Sequence, residues 1–383
     1  MENISVYVHI PYCPGKCHYC DFLSFPSCQA LLSPEEYVSL LEKELELHSR
    51  TLMAGDYCVT TLYIGGGTPT VLPVPQLHRL LAACKRCLPL YTPEWTVEAN
   101  PGTVSEEIIS ILANHGVTRV SIGVQDLDDT RLAMLGRMHN AEQAKQAVSL
   151  CRQYFPSVSM DLMAGLPGQS AAHLLSTMDT ALQWYPDHIS LYSLRLEEGT
   201  PLAGLVSAGA LMLPDEDEVA AMLLAAKKVL ASRGFIHYEI ANFSKPGHTC
   251  RHNITYWENR PYLGVGLGAH SYWQGSRLVN TSQFLQYAKL LTENLLPVTE
   301  TNPVSQRQSM EDTMILGLRM FTGVSFPAFQ ERFGQDARKI FGRELKRLEA
   351  MGLIRCDGRS VCLTHYGYLL ANLVFQEFIG LES

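Results

Sequence analysis

Residues 12–22, YCPGKCHYCDF, decide the reading of this chain. They hold Cys13, Cys17 and Cys20 in CxxxCxxC spacing, just after the β-prone run 6–10. Three thiolates that close can hold one metal centre. An iron–sulfur cluster usually takes a fourth thiolate, so three leave one iron open. An open coordination position marks chemistry rather than stapling. Zinc is the competing reading, with His9, His18 or Cys28 completing the set. Plain buried cysteines are disfavoured by the crowding and by Pro14 and Gly15 between them.

Outward from this loop, β-prone runs recur at 59–64, 95–99, 119–124, 157–163 and 188–194, with helical patterns between them. Ser33 suits an N-cap and Pro34 a first helical residue. Six strands alternating with helices predict an α/β fold with a parallel sheet, flat or curled into a full or partial barrel. Every unusual loop lies at or just after a strand's C-terminal end, the edge that carries active sites in parallel α/β folds. These loops hold the cysteines, Gly65-Gly66-Gly67-Thr68-Pro69, Glu98, Gln125 and Asp161 to Gly168.

Beyond residue 197 the alternation loosens. Residues 214–232 read as a helix, 235–242 as one strand, and the polar stretch 299–309 as a linker between residues 1–298 and 310–383. The last segment reads as helices followed by a β-wing, a winged-helix-like α+β unit. Its acidic and basic residues balance, so it is a poor candidate for DNA. The whole chain has 383 residues and a net charge of −8, which leaves no footprint for nucleic acid. Its 11 cysteines are odd in number and unevenly spaced, unlike a disulfide scaffold. No apolar run is long enough to span a membrane, and no basic-then-apolar leader is visible. The expectation is a soluble protein of the reducing cytoplasm.

Three glycines at 65–67 let a backbone approach a ligand closely. Glu98, Gln125, Arg137 and Asp161 are each ordinary singly. Jointly, at one sheet edge, they can hold the hydroxyls, amine and carboxylate of a polar cofactor. His252-Asn253-x-x-Tyr256 sits beside Cys250, and histidine, cysteine and tyrosine all ligate haem iron. A satisfied loop histidine is the plainer reading. Gly264-x-Gly266-x-Gly268 has the wrong spacing for a dinucleotide fingerprint.

Together these segments resemble the radical S-adenosylmethionine (SAM) superfamily. Within it, the chain is similar to the oxygen-independent coproporphyrinogen III oxidase-like group and its haem-chaperone members. The resemblance runs through GGGTP, VEANP, SIGVQD, GRMH, DLMAGLPGQ, HISLYSL, CRHNITYW, YLGVGLGAHSY and LTHYGYLLAN. It implies a partial (β/α)6 TIM-type barrel and a 4Fe–4S cluster on Cys13, Cys17 and Cys20. SAM on the open iron would be reduced by one electron to methionine and a 5′-deoxyadenosyl radical. The resemblance places Tyr7 and Glu98 at SAM, Tyr19 near its adenine and Gly66 near its methionine. Gly67, Thr68, Gln125, Arg137 and Asp161 match positions that hold a second SAM in the coproporphyrinogen enzyme. HNxxY implies haem on His252 and Tyr256, and haem transfer to respiratory cytochromes at the membrane through protein contact. A one-electron reductant and a cluster-dependent homodimer are also implied.

Three departures sort function within the group. The coproporphyrinogen enzyme carries a further cysteine two residues after the third ligand, where this chain has Asp21-Phe22. That enzyme also has an N-terminal extension before the Tyr7-like position. Asp126 after Gln125, by contrast, is oxidase-like. The expectation is a haem chaperone. Coproporphyrinogen III dehydrogenase is the alternative, with a haem-modifying methyltransferase behind it.

Overall fold

In the computed structural model, which describes residues 2–380, six parallel strands lie side by side in chain order. They are β1 (Glu2–Ile10), β2 (Tyr57–Gly66), β3 (Leu90–Ala99), β4 (Arg119–Gln125), β5 (Ser157–Ala164) and β6 (His188–Ser193). Helices α1 (Pro34–Ala54), α2 (Val74–Cys87), α3 (Glu106–Asn114), α4 (Ala141–Tyr154) and α5 (Ala171–Leu182) return the chain between them. The α1 start follows from its sequence. Ser33 accepts the Glu36 N–H, Glu36 reaches back to the Ser33 N–H, and Pro34 opens the helix.

The two faces of the sheet carry different chemistry, as strand alternation dictates. Val6, Val8, Ile10, Leu62, Ile64 and Ile122 are fully buried on the face that enters the main apolar core. Burying each contributes about 1.5–3 kcal/mol. The alternate positions are buried and polar: Ser5, Thr61, Thr96, Ser121, Ser159 and Ser190. Hydrophobic stabilisation on one face leaves the other free to be polar, and the site sits there.

The sheet extends to twelve strands. On the β6 side, β7 (Ile236–Glu239) and β8 (Asn242–Ser244) form a hairpin with β8 antiparallel to β6. The single strand expected over 235–242 is therefore two, folded back at Ile240-Ala241. On the other side, β9 (Tyr262–Val265) runs parallel to β1. Antiparallel β10 (His270–Trp273), β11 (Ser276–Asn280) and β12 (Val298–Pro303) follow. Among the described residues no pairing joins β12 to β7, so the sheet is open. The linker expected over 299–309 is β12 and the start of a helix, Gln306–Gly317. Its side chains are exposed and polar, which reads as coil; backbone pairing to β11 makes it a strand.

The GxGxG stretch is a packing feature. Fully buried Glu44 on α1 accepts from the Gly266 N–H at 2.9 Å, Asn280 Nδ2 at 2.7 Å and the Tyr287 hydroxyl at 2.5 Å. Gly266 has φ +105°, and a Cβ there would meet the Tyr37 hydroxyl.

The C-terminal segment builds a second apolar core around Phe329, Phe341 and Phe378. It carries a three-stranded sheet, β13 (Val324–Ser325), β14 (Ile354–Cys356) and β15 (Ser360–Leu363), with β15 central. Among the helices of this segment, Ala337–Ile340 and Gly342–Ala350 are separated at Phe341. Arg319 stacks on Trp257 at 4.2 Å, and Glu239 bridges to Met320, fastening this segment to the main sheet. Among the described residues no helix is long and apolar enough to cross a membrane.

Candidate functional site

The cysteine loop leaves β1 and crosses the C-terminal edge of the sheet. Cys13, Cys17 and Cys20 all line one cavity of about 350 Å³, and none is in a disulfide. The GRMH segment after β4 holds the loop down. Gly136 lies where a Cβ would press on the His18 ring, His18 Nδ1 meets the Met134 carbonyl at 2.8 Å, and Arg137 Nη1 reaches Cys17 Sγ at 3.5 Å. Arg137 also donates to the Gly123 carbonyl, which ties the loop to β4.

The three glycines have neighbours of their own. A Cβ on Gly65 would meet the Glu98 carboxylate at 2.7 Å; on Gly66 it would enter the His9 ring, and on Gly67 the Tyr12 carbonyl. Gly66 also needs φ +111°. The run thus lets Glu98, His9 and the cysteine loop close together, and Gly66, Gly67 and Thr68 then face the cavity. Thr68 sits 3.6 Å from Cys13 Sγ.

Glu98, at the end of β3, accepts from Tyr63 at 2.8 Å and from the Gly66 N–H at 3.0 Å. Burial pushes its carboxyl up to about 7. Asp161 on β5 is raised by burial too, and accepts from Ser121 at 3.2 Å. Gln125 adopts φ +69° where the β4–β5 register slips. A bulge of this kind re-aims a side chain, here into the cavity. Tyr19 lines the cavity beside the small apolar cluster of Leu135, Met163, Leu166 and Leu202.

Eleven expected residues therefore share one cavity: Cys13, Cys17, Tyr19, Cys20, Gly66, Gly67, Thr68, Glu98, Gln125, Arg137 and Asp161. Tyr7, His252 and Tyr256 are not in its wall. Tyr7 lies one layer back, paired in register with Tyr63, its hydroxyl 2.9 Å from His9 Nδ1. His252 is 1% exposed on the helix α6 (Arg251–Trp257). Its Nδ1 meets Thr61 and its Nε2 meets the Tyr256 hydroxyl, each at 2.8 Å. Its ring stacks on Tyr63 at 5.1 Å. Burial pushes this histidine down to about 3, so it is neutral with both nitrogens engaged. From the same motif, Asn253 faces the cavity.

The donor set fits a cluster rather than one ion. Among the described residues no three His, Cys, Asp or Glu side chains converge to hold a single metal ion. His9, a candidate fourth zinc ligand, is spent on Tyr7 and the Leu23 carbonyl. The three thiols line the same cavity, which suits a cluster held by three thiolates.

Residues 7–181 match the Radical SAM superfamily and 304–370 the HemN C-terminal domain. The chain is 39% identical to the heme chaperone HemW of Bacillus subtilis, across 98% of this chain and 99% of that protein. It is 36% identical to HemW of Lactococcus lactis, across 98% and 97%. This chain belongs to the HemW family. In three dimensions it superposes on coproporphyrinogen III oxidase (HemN) from Escherichia coli, a radical SAM enzyme, with a TM-score of 0.85. That match covers 99% of this chain and 90% of the other at 21% identity, which establishes a shared fold. The radical SAM fold implies a 4Fe–4S cluster and SAM.

Asp126, read as oxidase-like, is fully buried and turned away from the cavity. It pairs with Arg131 at 2.7 Å and accepts from the Leu127 and Asp128 N–H groups and from Thr177. Its carboxylate is tied into the scaffold and does not line the cavity. Asp21 and Phe22, by contrast, line the cavity. Sequence reasoning missed Tyr63, Arg119, Asn253 and Tyr192 in the wall. Alternation was the available signal: Arg119 and Ser121 lie in step with Gly123 on β4.

Proposed function

We propose that this chain is a radical-SAM-type haem chaperone that binds haem and passes it to respiratory cytochromes. The observation that carries the reading is a cavity walled by three unpaired cysteines in a chain similar, end to end, to proteins named heme chaperone HemW. Cys13, Cys17 and Cys20 hold the 4Fe–4S cluster, and Arg137 orients Cys17. When bound, the cluster supplies one electron to the SAM sulfonium from an external one-electron reductant. Glu98 takes the amino end of SAM, held for that task by Tyr63 and the Gly66 N–H. Tyr19 flanks the adenine, and Gly67, Thr68, Gln125 and Asp161 line the remaining polar wall. Tyr7 acts through Tyr63 and His9.

Haem binds at the HNxxY segment. For His252 to take iron, one of its ring nitrogens must first be released by Tyr256 or Thr61. The protein works in the cytoplasm, reaches membrane cytochromes through protein contact, and pairs with a second copy. The test is anaerobic incubation of the reconstituted protein with SAM and reductant, in parallel with haem and with coproporphyrinogen III. Haem binding without protoporphyrinogen IX formation is expected. Protoporphyrinogen IX would replace this reading by the dehydrogenase. SAM-dependent loss of the haem spectrum would replace it by a haem-modifying methyltransferase.

A further inference from the structure

Arg119 begins β4, at the end of the strand away from the cysteine loop, roughly 20 Å along the strand from Gln125. Its side chain nevertheless lines the cavity with Ser121, Asp161 and Asn253. The residue is 3% exposed, and its Nε has no hydrogen-bond partner. Burial desolvates its charge, and the carboxylates of Glu94, Glu98 and Asp161 act on it through space, but no ion pair reaches it among the described residues. Glu94 is committed elsewhere, accepting the Arg251 and His252 N–H groups at 2.9 and 3.0 Å.

A guanidinium is always charged and carries five donors. Buried without a partner it is costly, and such a group is normally paired or satisfied. A purely structural arginine at this position would bond to carbonyls or a carboxylate of the sheet. This one opens instead into the cavity, whose wall also holds the half-buried Asn253 amide. Guanidinium and amide together match a carboxylate, because the guanidinium fork pairs with both oxygens.

We propose that Arg119, with Asn253 in the same cavity wall, forms a carboxylate-binding subsite. This rests on the reading of the cavity as the SAM and haem-handling chamber. Two ligands of that chamber carry the chemistry: SAM through its methionine carboxylate, and haem through its propionates. The subsite also gives the HNxxY segment a second role, with Asn253 contacting the ligand while His252 holds the helix to the sheet.

The test uses the full-length, anaerobically reconstituted protein. Binding of SAM and of decarboxylated SAM is measured by equilibrium dialysis; binding of haem and of haem dimethyl ester is followed by Soret titration. Losing a charged hydrogen bond should weaken the carboxylate ligand about ten- to hundred-fold in Arg119→Gln. The matching analogue without a carboxylate should bind wild type and variant alike. Loss confined to SAM assigns the methionine carboxylate; loss confined to haem assigns a propionate. If Arg119→Gln fails to fold, the wild-type comparison of each ligand with its analogue decides. Unchanged affinities for both ligands in the variant, or equal binding of ligand and analogue by wild type, would overturn the subsite. If wild type binds no haem at all, the chaperone reading fails while the SAM arm still decides Arg119.

Discussion

Two short segments carry most of the recognisable chemistry, and they are opposite in state. In the cysteine loop, three thiols face a cavity and have no covalent partner. In the HNxxY helix, the histidine and tyrosine are bonded to each other and to β2, and only the asparagine reaches the cavity. Spacing alone treats both as ligand sets. The difference teaches that a motif names residues able to bind, while the surrounding hydrogen bonds decide which are free to do so.

The contrast is sharpest at Cys17. Cys17→Ala removes one of three wall thiols and the partner of Arg137. The reconstituted variant should lose the visible iron–sulfur absorption entirely while keeping its far-ultraviolet circular dichroism. Retained absorption would mean that other cysteines hold the metal. Zinc without iron or sulfide in wild-type protein would replace the cluster by a structural site.

Asp126 repeats the contrast at adjacent positions. Gln125 turns into the cavity and Asp126 into the scaffold. Asp126→Ser removes the buried carboxylate that pairs with Arg131 at 2.7 Å, while Arg131 keeps Asp128 at 3.5 Å, so the loss should be about 1.5–3 kcal/mol, that of charged hydrogen bonds. Urea denaturation should show that loss, with SAM affinity of the folded fraction unchanged. A shift from haem binding to porphyrinogen oxidation in this variant would restore Asp126 as a determinant of chemistry.

Much of this was legible before the structure. The six parallel strands followed from alternation and caps, because buried apolar periodicity and N-cap chemistry are local. The clustering of Glu98 and Gln125 followed from their place at strand ends, whereas Asp161 lies within β5 and Arg137 beyond the helix Asp129–Met134. What stayed hidden was non-local. Residues 299–303 form part of an edge strand because β11 lies beside them, not because of their own side chains. The triple glycine looked like a ligand cradle, and its first need is room for Glu98, His9 and the Tyr12 carbonyl. Arg119 was passed over because it starts its strand, far in sequence from the loops, and only its length brings it to the cavity.

His252 tests the other half of the comparison. The ring is fully enclosed, with two hydrogen bonds and a stacked tyrosine. His252→Ala should cost about 2–4 kcal/mol in urea denaturation, from the cavity and the stranded Thr61 and Tyr256 hydroxyls. If haem binds through this ring, the variant should also lose the wild-type Soret shift. An unchanged Soret spectrum with lowered stability would make His252 a positioning residue and remove it from haem ligation.

The smallest effect is the pH dependence of that network. Burial pushes His252 down to about 3 from 6.5, so between those values the unfolded chain binds a proton that the folded chain refuses. Stability from this group is present above pH 6.5 and is lost as pH falls toward 3, at no more than roughly 1.4 kcal/mol per pH unit. Glu98 works in the opposite sense: raised by burial to about 7 from 4.5, it favours the folded state at low pH and loses that advantage as pH rises to 7. The two partly cancel between pH 4.5 and 6.5, so wild-type stability alone is a poor readout. His252→Gln removes only the first contribution. The difference in unfolding free energy between apo wild type and His252→Gln should therefore shrink steadily from pH 7 to pH 4.5. A difference that stays constant across that range would mean that the imidazole is as free to take a proton in the folded protein as in the unfolded chain, and that the HNxxY helix is already open.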